Sequence, residues 1–458
     1  MISSYLSSLR RIGRDARLCL LAWALIGFAA FGGIFTVLGN LYLLRLGFGP
    51  ESVGLFNAAG QATYSACALP AATLGRRWGS RRPMIVGLAL GMLGLGLLPL
   101  AEALPFTWRD GGLLAAFAIT WGGISLFWIN SKPFLTAVTG PEERDHAFSM
   151  WMAITLFSGF VGSLISGFLP GLFGAAIGVP LDQPAPYRFP LWIAAACLGL
   201  AALAMLSTHP ASGTQTEEAR AEAGGGGSVA IRLILVLALV SLLRPASEAV
   251  ARTFFNVYLD AGLHAPTVLI GALSAGGQLV AVPAALAAPL VMARWGHVRT
   301  YAAGSLAAAL CLLPLAVVPH WSMAGLGFAG VIGLTSLAVP AANVFAMALV
   351  PFASRPVMSA AVELAVGFNF AAAAFGGGYL ITAAGYPSLF LAGAVLSLAG
   401  TVLFWGYFSV PRGELARVEA RPDYQRGAGA RQPETPEPTL ASGADGFRRD
   451  EGWTPGRS

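Results

Sequence analysis

The chain has 458 residues, of which 56% are hydrophobic and 11% charged, with a net charge of +6 and a mean hydropathy of +0.68. A soluble globular domain usually carries about 25% charged residues, so a soluble enzyme built from domains of ordinary size is excluded, and the surface must face lipid. The basic residues are 27 Arg and the single Lys132, scattered over short loops and the termini, which leaves no basic face for nucleic acid.

In chain order, a basic arm (Arg10, Arg11, Arg14, Arg17) leads into an apolar stretch too long for the core of a cleaved signal. Twelve apolar spans follow: 18–44, 52–75, 83–103, 111–139, 147–173 and 188–207, then 230–259, 266–293, 300–319, 321–349, 357–384 and 386–409. Each is long enough to cross a bilayer as a helix. Helices are required because lipid offers the backbone no hydrogen-bond partner. The chain therefore divides into an arm (1–17), a six-helix bundle (18–207), a polar linker with the run Gly224–Gly227 (208–229), a second six-helix bundle (230–409) and a tail (410–458). The tail carries eight Arg and eight acidic residues with little apolar content and reads as disordered.

With the N-terminus inside, twelve Arg fall on the cytoplasmic side (Arg10, Arg11, Arg14, Arg17, Arg76, Arg77, Arg81, Arg82, Arg144, Arg294, Arg299, Arg355) against Arg45, Arg109 and Arg188 outside. This bias places both termini in the cytoplasm. Cys19, Cys67, Cys197 and Cys311 lie in apolar segments and read as small hydrophobes. Neither they nor His146, His209, His264, His297 and His320 show metal-ligand spacing, and no cofactor is expected.

The two halves repeat. Asn40-Leu41-Tyr42-Leu43 recurs as Asn256-Val257-Tyr258-Leu259, Gly54 as Gly271, Gly60-Gln61 as Gly277-Gln278, and Arg77-Trp78-Gly79 as Arg294-Trp295-Gly296. The offset stays at 216–217 throughout, so the bundles are similar units in the same orientation.

On these residues the chain resembles the major facilitator superfamily of secondary transporters. The loop between the second and third helices in that family reads roughly G-x-x-x-D-R-x-G-R-R. Here Arg77, Gly79 and Arg81 match, while Ala72 stands for the first Gly, Arg76 for the Asp and Ser80 for one basic position. The resemblance implies that Arg76, Arg77, Gly79, Arg81, Arg294, Gly296, Arg144 and Arg355 shape the cytoplasmic loops and gate. In the family the Asp latches one conformation against the end of helix 11. The segment Ser158-Gly159-Phe160-Val161-Gly162-Ser163 has the glycines of the antiporter signature in helix 5 without its Pro. Two parallel repeats with a substrate site at their interface are the expected design.

Ionisable groups inside lipid are costly and point to function. Arg244, Glu248 and Arg252 follow one another at i, i+4, i+8 in helix 7, which places them on one face of a continuous helix. Arg244 lies about 20 Å and Glu248 about 27 Å into the span at 1.5 Å per residue. The stripe reads either as an anion-attracting site with Glu248 as counter-ion or as a self-neutralising packing cluster. Lys132 in helix 4 and Glu363 in helix 11 lie roughly 10 Å deep and read either as a gating pair across the halves or as separate helix-end groups. Glu248 and Glu363 are the candidates for proton coupling, because taking a carboxylate out of water favours its neutral form. Among neutral polar residues, Asn40, Asn256, Asn130 and Asn369 are candidates for the cavity.

The resulting expectation is a monomeric secondary transporter in a bacterial inner membrane. It moves a small organic solute, with a lean to an anion or zwitterion, by proton-coupled alternating access. The alternatives are a proton-driven exporter of amphipathic drugs, or a sensor or lipid scramblase on the same fold.

Overall fold

In the computed structural model, residues 13–209, 231–350 and 355–409 are described. Most of the arm and linker and the whole tail lie outside them, as do the side chains of Arg144 and Arg355. The described residues form α1 (Arg14–Arg45), α2 (Pro50–Trp78), α3 (Arg81–Ala103), α4 (Phe106–Val138), α5 (Pro141–Ile177) and α6 (Ala185–Leu206). The second half supplies α7 (Arg232–Gly262), α8 (Thr267–Trp295), α9 (His297–Val317) and α10 (Trp321–Leu349). The last helical run, Arg355–Phe408, is interrupted at Gly385 (φ 80°), giving α11 (355–384) and α12 (386–408).

Among the described residues, ten stretches are long and apolar enough to cross a membrane, and one of them, Met358–Phe408, holds two crossings. The twelfth crossing is α2. Asn57, Gln61, Tyr64 and Ser65 lower its hydropathy because one of its faces packs on the opposite bundle rather than on lipid. Leu286, Leu290 and Val402, at 69–72% exposure, are lipid-facing side chains.

Within the first bundle, α3 and α4 approach so closely that a Cβ on Gly87 or on Gly123 would lie 2.4 Å from the other's carbonyl oxygen. This is the small-residue packing that holds helices together where lipid removes the hydrophobic driving force. Trp23, Phe127, Trp128 and Trp151 form an aromatic core between α1, α4 and α5. The second bundle is filled at the corresponding end by Tyr301, Phe345, Phe404 and Phe408.

The repeated Arg-Trp-Gly turns are structurally alike. Gly79 (φ 77°) and Gly296 (φ 75°) both take the left-handed conformation that side chains disfavour. Trp78 and Trp295 are both exposed, as interfacial anchors are. Arg81 donates to the carbonyls of Met205 and Leu206 and to Thr208, capping the carboxyl end of α6. The ends bearing these turns are the basic side of the molecule, and the ends bearing the α1–α2 and α7–α8 loops are the far side.

The bundles meet along two seams, α2 against α11 and α5 against α8. Gly54, and its repeat mate Gly271, sit in them. A Cβ on Gly54 would lie 2.3 Å from the Ala374 carbonyl, and one on Gly271 2.7 Å from the Gly167 Cα.

Candidate functional site

Both central helices are broken at related positions. The first helix divides into Arg14–Ala29 and Ile34–Arg45, with Gly32 at φ 79° between them. The glycines of α5 seat this break: a Cβ at Gly162 would lie 2.4 Å from the Phe28 carbonyl, and one at Gly159 2.6 Å from that of Phe31. Ser163 donates to the Gly32 carbonyl, so the irregular backbone keeps a partner away from lipid. In α7 the helix stops at Leu243 and resumes at Ala246, across Arg244 and Pro245. Proline lacks an N–H and disfavours helical backbone before it. At the 216-residue offset the two breaks lie within about one turn of each other. Paired interruptions in corresponding helices mark the binding region of repeat-built transporters.

Between the breaks lies a pocket lined by Gly32 and Thr36 of α1, Ser163 of α5, Arg252, Phe255 and Asn256 of α7, Ser274 and Gln278 of α8, and Phe328 of α10. The Arg252 Nε donates to Glu248 Oε1 at 2.8 Å, and the two side chains are 33% and 16% exposed. This bond uses one edge of the guanidinium and leaves the Nη groups for a further acceptor. Gln278 is only 6% exposed, stands against Gly32, and has no hydrogen-bond partner among the described residues. Phe255 and Phe328 stack face to face at 3.9 Å and form the apolar wall. The amino end of the Ile34–Arg45 segment opens beside Gly32, where unpaired N–H groups carry partial positive charge.

At the repeat offset, Glu248 falls on Gly32 and Arg252 on Thr36. Both pairs are joined across one turn, because the Gly32 N–H donates to Thr36 Oγ1 at 3.1 Å. One half thus holds a neutral pair where the other holds an ion pair.

The expected single stripe of Arg244, Glu248 and Arg252 does not form, because the break at Pro245 ends the helical register. Arg244 is 5% exposed and points into the second bundle, with its guanidinium 5.0 Å from the Tyr301 ring and Nη1 donating to Ser305 at 3.5 Å. Asn130 donates to the carbonyls of Ala71 and Leu126 inside the first bundle. Asn369 donates to Leu242 inside the second, with its Oδ1 buried and unpartnered. Lys132 lies over the Trp151 ring at 5.6 Å, Glu363 is exposed on α11, and no ion pair joins them in this conformation. Arg76, Arg77 and Arg294 are exposed on the basic side.

Asn40 and Asn256 bond across the bundles on the far side, donating to the carbonyls of Thr253 and Thr36, each at 2.9 Å. Arg45 makes a two-pronged ion pair with Asp260 at 2.6 and 2.7 Å, and Thr382 donates to Glu51 at 2.7 Å. With the contact of Tyr187 Oη and Thr267 Oγ1 at 3.4 Å, these bonds join the two bundles across the far half, and the protein is closed there. Asp260, Thr36, Ser163 and Phe328 were not identifiable as site residues from composition or spacing. The Gly32-Gly33 pair inside an apolar span was the one available signal for the α1 break.

A polytopic helical protein with two related bundles and a polar pocket at their interface is the architecture of a secondary transporter. The chain belongs to the Major Facilitator Superfamily, whose family model matches twice, over residues 20–245 and 237–450. An uncharacterized MFS-type transporter of Mycobacterium tuberculosis is 26% identical over 345 residues, covering 73% of this chain and 76% of that protein. Among solved structures, the fold is similar to an inward-open xylose transporter from E. coli (TM-score 0.70, 12% identity, 88% of this chain and 98% of that one). It is also similar to a POT family transporter in complex with 5-aminolevulinic acid (TM-score 0.67, 14% identity, 86% and 96%). The protein is thus a multi-pass membrane protein of a transporter family rather than of an enzyme family.

Proposed function

We propose that the protein is a proton-coupled secondary transporter that carries a small organic anion or zwitterion through the pocket between the two helix breaks. The observation that carries this reading is the Glu248–Arg252 pair, which sets a guanidinium with unused Nη groups in a pocket between the bundles. Guanidinium forks suit carboxylates geometrically. Gln278 and the amino end of the second α1 segment add donors, and the stacked Phe255 and Phe328 form the apolar side of the pocket, which holds only about 10 Å³ in this conformation and must widen to admit the solute.

Proton coupling follows from competition. When Glu248 takes up a proton it releases Arg252, and an anionic solute can replace it without leaving net charge in lipid. Glu363 faces the Tyr64 side of α2 and is the second coupling candidate. The basic side is cytoplasmic in this reading. Arg76, Arg77, Arg82, Arg294 and Arg299 are exposed there, whereas on the far side Arg45 and Arg188 are paired with Asp260 and Glu102. The structure is then the inward-facing state of a monomer in a bacterial inner membrane, with both termini in the cytoplasm.

Reconstituted protein should accumulate a small organic carboxylate when a pH gradient is imposed, and Glu248→Gln should make uptake independent of that gradient. Unchanged gradient dependence in Glu248→Gln would remove Glu248 from the coupling step.

A further inference from the structure

Asn40 and Asn256 occupy the same repeat position, and their partners do too. The Asn40 side-chain oxygen accepts from Asn57 Nδ2 at 2.8 Å, and the Asn256 oxygen accepts from Ser274 Oγ at 2.8 Å. Asn57 and Ser274 are related by the 217-residue offset. The amide nitrogens then cross the interface in opposite directions, Asn40 to the carbonyl of Thr253 in α7 and Asn256 to that of Thr36 in α1. Both asparagines are buried, at 7% and 3% exposure.

We infer that these four residues form a reciprocal clasp that holds the far side shut, so that Asn40 and Asn256 position the bundles rather than bind solute. Each half carries the same device: a helix 1-type asparagine whose oxygen is fixed by its own helix 2-type neighbour and whose NH2 reaches into the other half. A side-chain oxygen held from behind fixes the rotamer, so the amide is aimed before the bundles meet. One acceptor, Thr36, lines the pocket together with the donor Asn256, and the other, Thr253, directly follows the pocket-lining Arg252 in the chain. Opening the far side must pull both amides off these carbonyls, and closing it must restore both bonds together. The inference rests on reading the protein as an alternating-access transporter.

The test is distance measurement between spin labels in the full chain, in a background with Cys19, Cys67, Cys197 and Cys311 replaced. One label pair at Asp182 and Ala261 reports the far side, and a second at Ser80 and Ala293 reports the basic side. An interhelical side-chain bond in lipid shifts an equilibrium about threefold. Asn40→Ala with Asn256→Ala should therefore raise the ratio of far-open to far-closed molecules about tenfold, widening the first distance and narrowing the second. Each single substitution should give roughly a threefold change. Asn130→Ala, which loses bonds inside one bundle only, should leave both distances unchanged.

Unchanged distances in the double variant would overturn the clasp. So would equal broadening of both distances in the clasp variants and in Asn130→Ala, which would indicate general loosening. If the double variant does not fold, Asn57→Ala with Ser274→Ala takes its place. A smaller shift in the same direction supports the clasp, and no shift overturns it. The distances are read without any solute, so a failure of transport in liposomes leaves this result separately interpretable.

Discussion

The Gly32–Thr36 pair of α1 and the Glu248–Arg252 pair of α7 occupy the same two positions of a duplicated unit, yet only the second carries charge. The scaffold features are shared: a broken central helix, a far-side asparagine, and a glycine at the bundle seam. The chemistry is not shared. One wall of the pocket offers backbone and hydroxyl groups, and the other offers a guanidinium with a carboxylate beside it. A duplicated scaffold thus gives a pocket with a charged end and a neutral end.

Substitutions that equalise the two walls test this comparison. The largest effect is expected from Arg252→Gln, which strands Glu248 and removes the anion partner. The cost of breaking such a pair is about 2 kcal/mol or more, or roughly thirtyfold in solute affinity, measurable by ligand-induced thermal stabilisation. Next is Gly32→Ala, which forces a side chain into a left-handed backbone and places its Cβ 2.3 Å from Gln278 Nε2. It should lower stability by about 1–3 kcal/mol, read from the unfolding midpoint of the purified protein. At the neutral mate of Arg252, Thr36→Val removes the hydroxyl that accepts from the Gly32 N–H and donates to the Ala30 carbonyl; loosening this wall of the pocket should cost about 1 kcal/mol, roughly fivefold in affinity. A Thr36→Val defect equal to that of Arg252→Gln would show that the walls are equivalent. The smallest effect is expected at Lys132 and Glu363, which are apart here. If they pair when the basic side closes, exchanging their charges should restore the part of the transport rate that each single reversal loses.

Much of this architecture was legible in the sequence because lipid makes its demands locally. Twelve apolar spans, the Arg bias and the repeat offset all follow from composition and position. The repeat also located Asn40, Asn256, Gly54 and Gly271. Their role was not legible, because a buried amide needs a partner but spacing does not say whether that partner is a solute or a carbonyl of the other bundle. The helix 7 stripe presumed an unbroken 3.6-residue period, and Pro245 turns Arg244 away onto Tyr301 and Ser305. The α5 glycines, weighed for an antiporter signature, instead make room for the break in α1. Gln278 was visible as a repeat match and a neutral polar group near a span, but its lack of a partner among the described residues is a three-dimensional fact.

The most direct test of the central claim compares the two arginines that the sequence placed on one stripe and the structure separates. Uptake of small organic carboxylates and of their neutral amides is measured in proteoliposomes for the unmodified protein, Arg252→Gln and Arg244→Gln under the same pH gradient. The account predicts uptake of a carboxylate, but not of its amide, that is lost in Arg252→Gln and retained in folded Arg244→Gln. Retention in Arg252→Gln with loss in Arg244→Gln would contradict it and move the solute site into the second bundle.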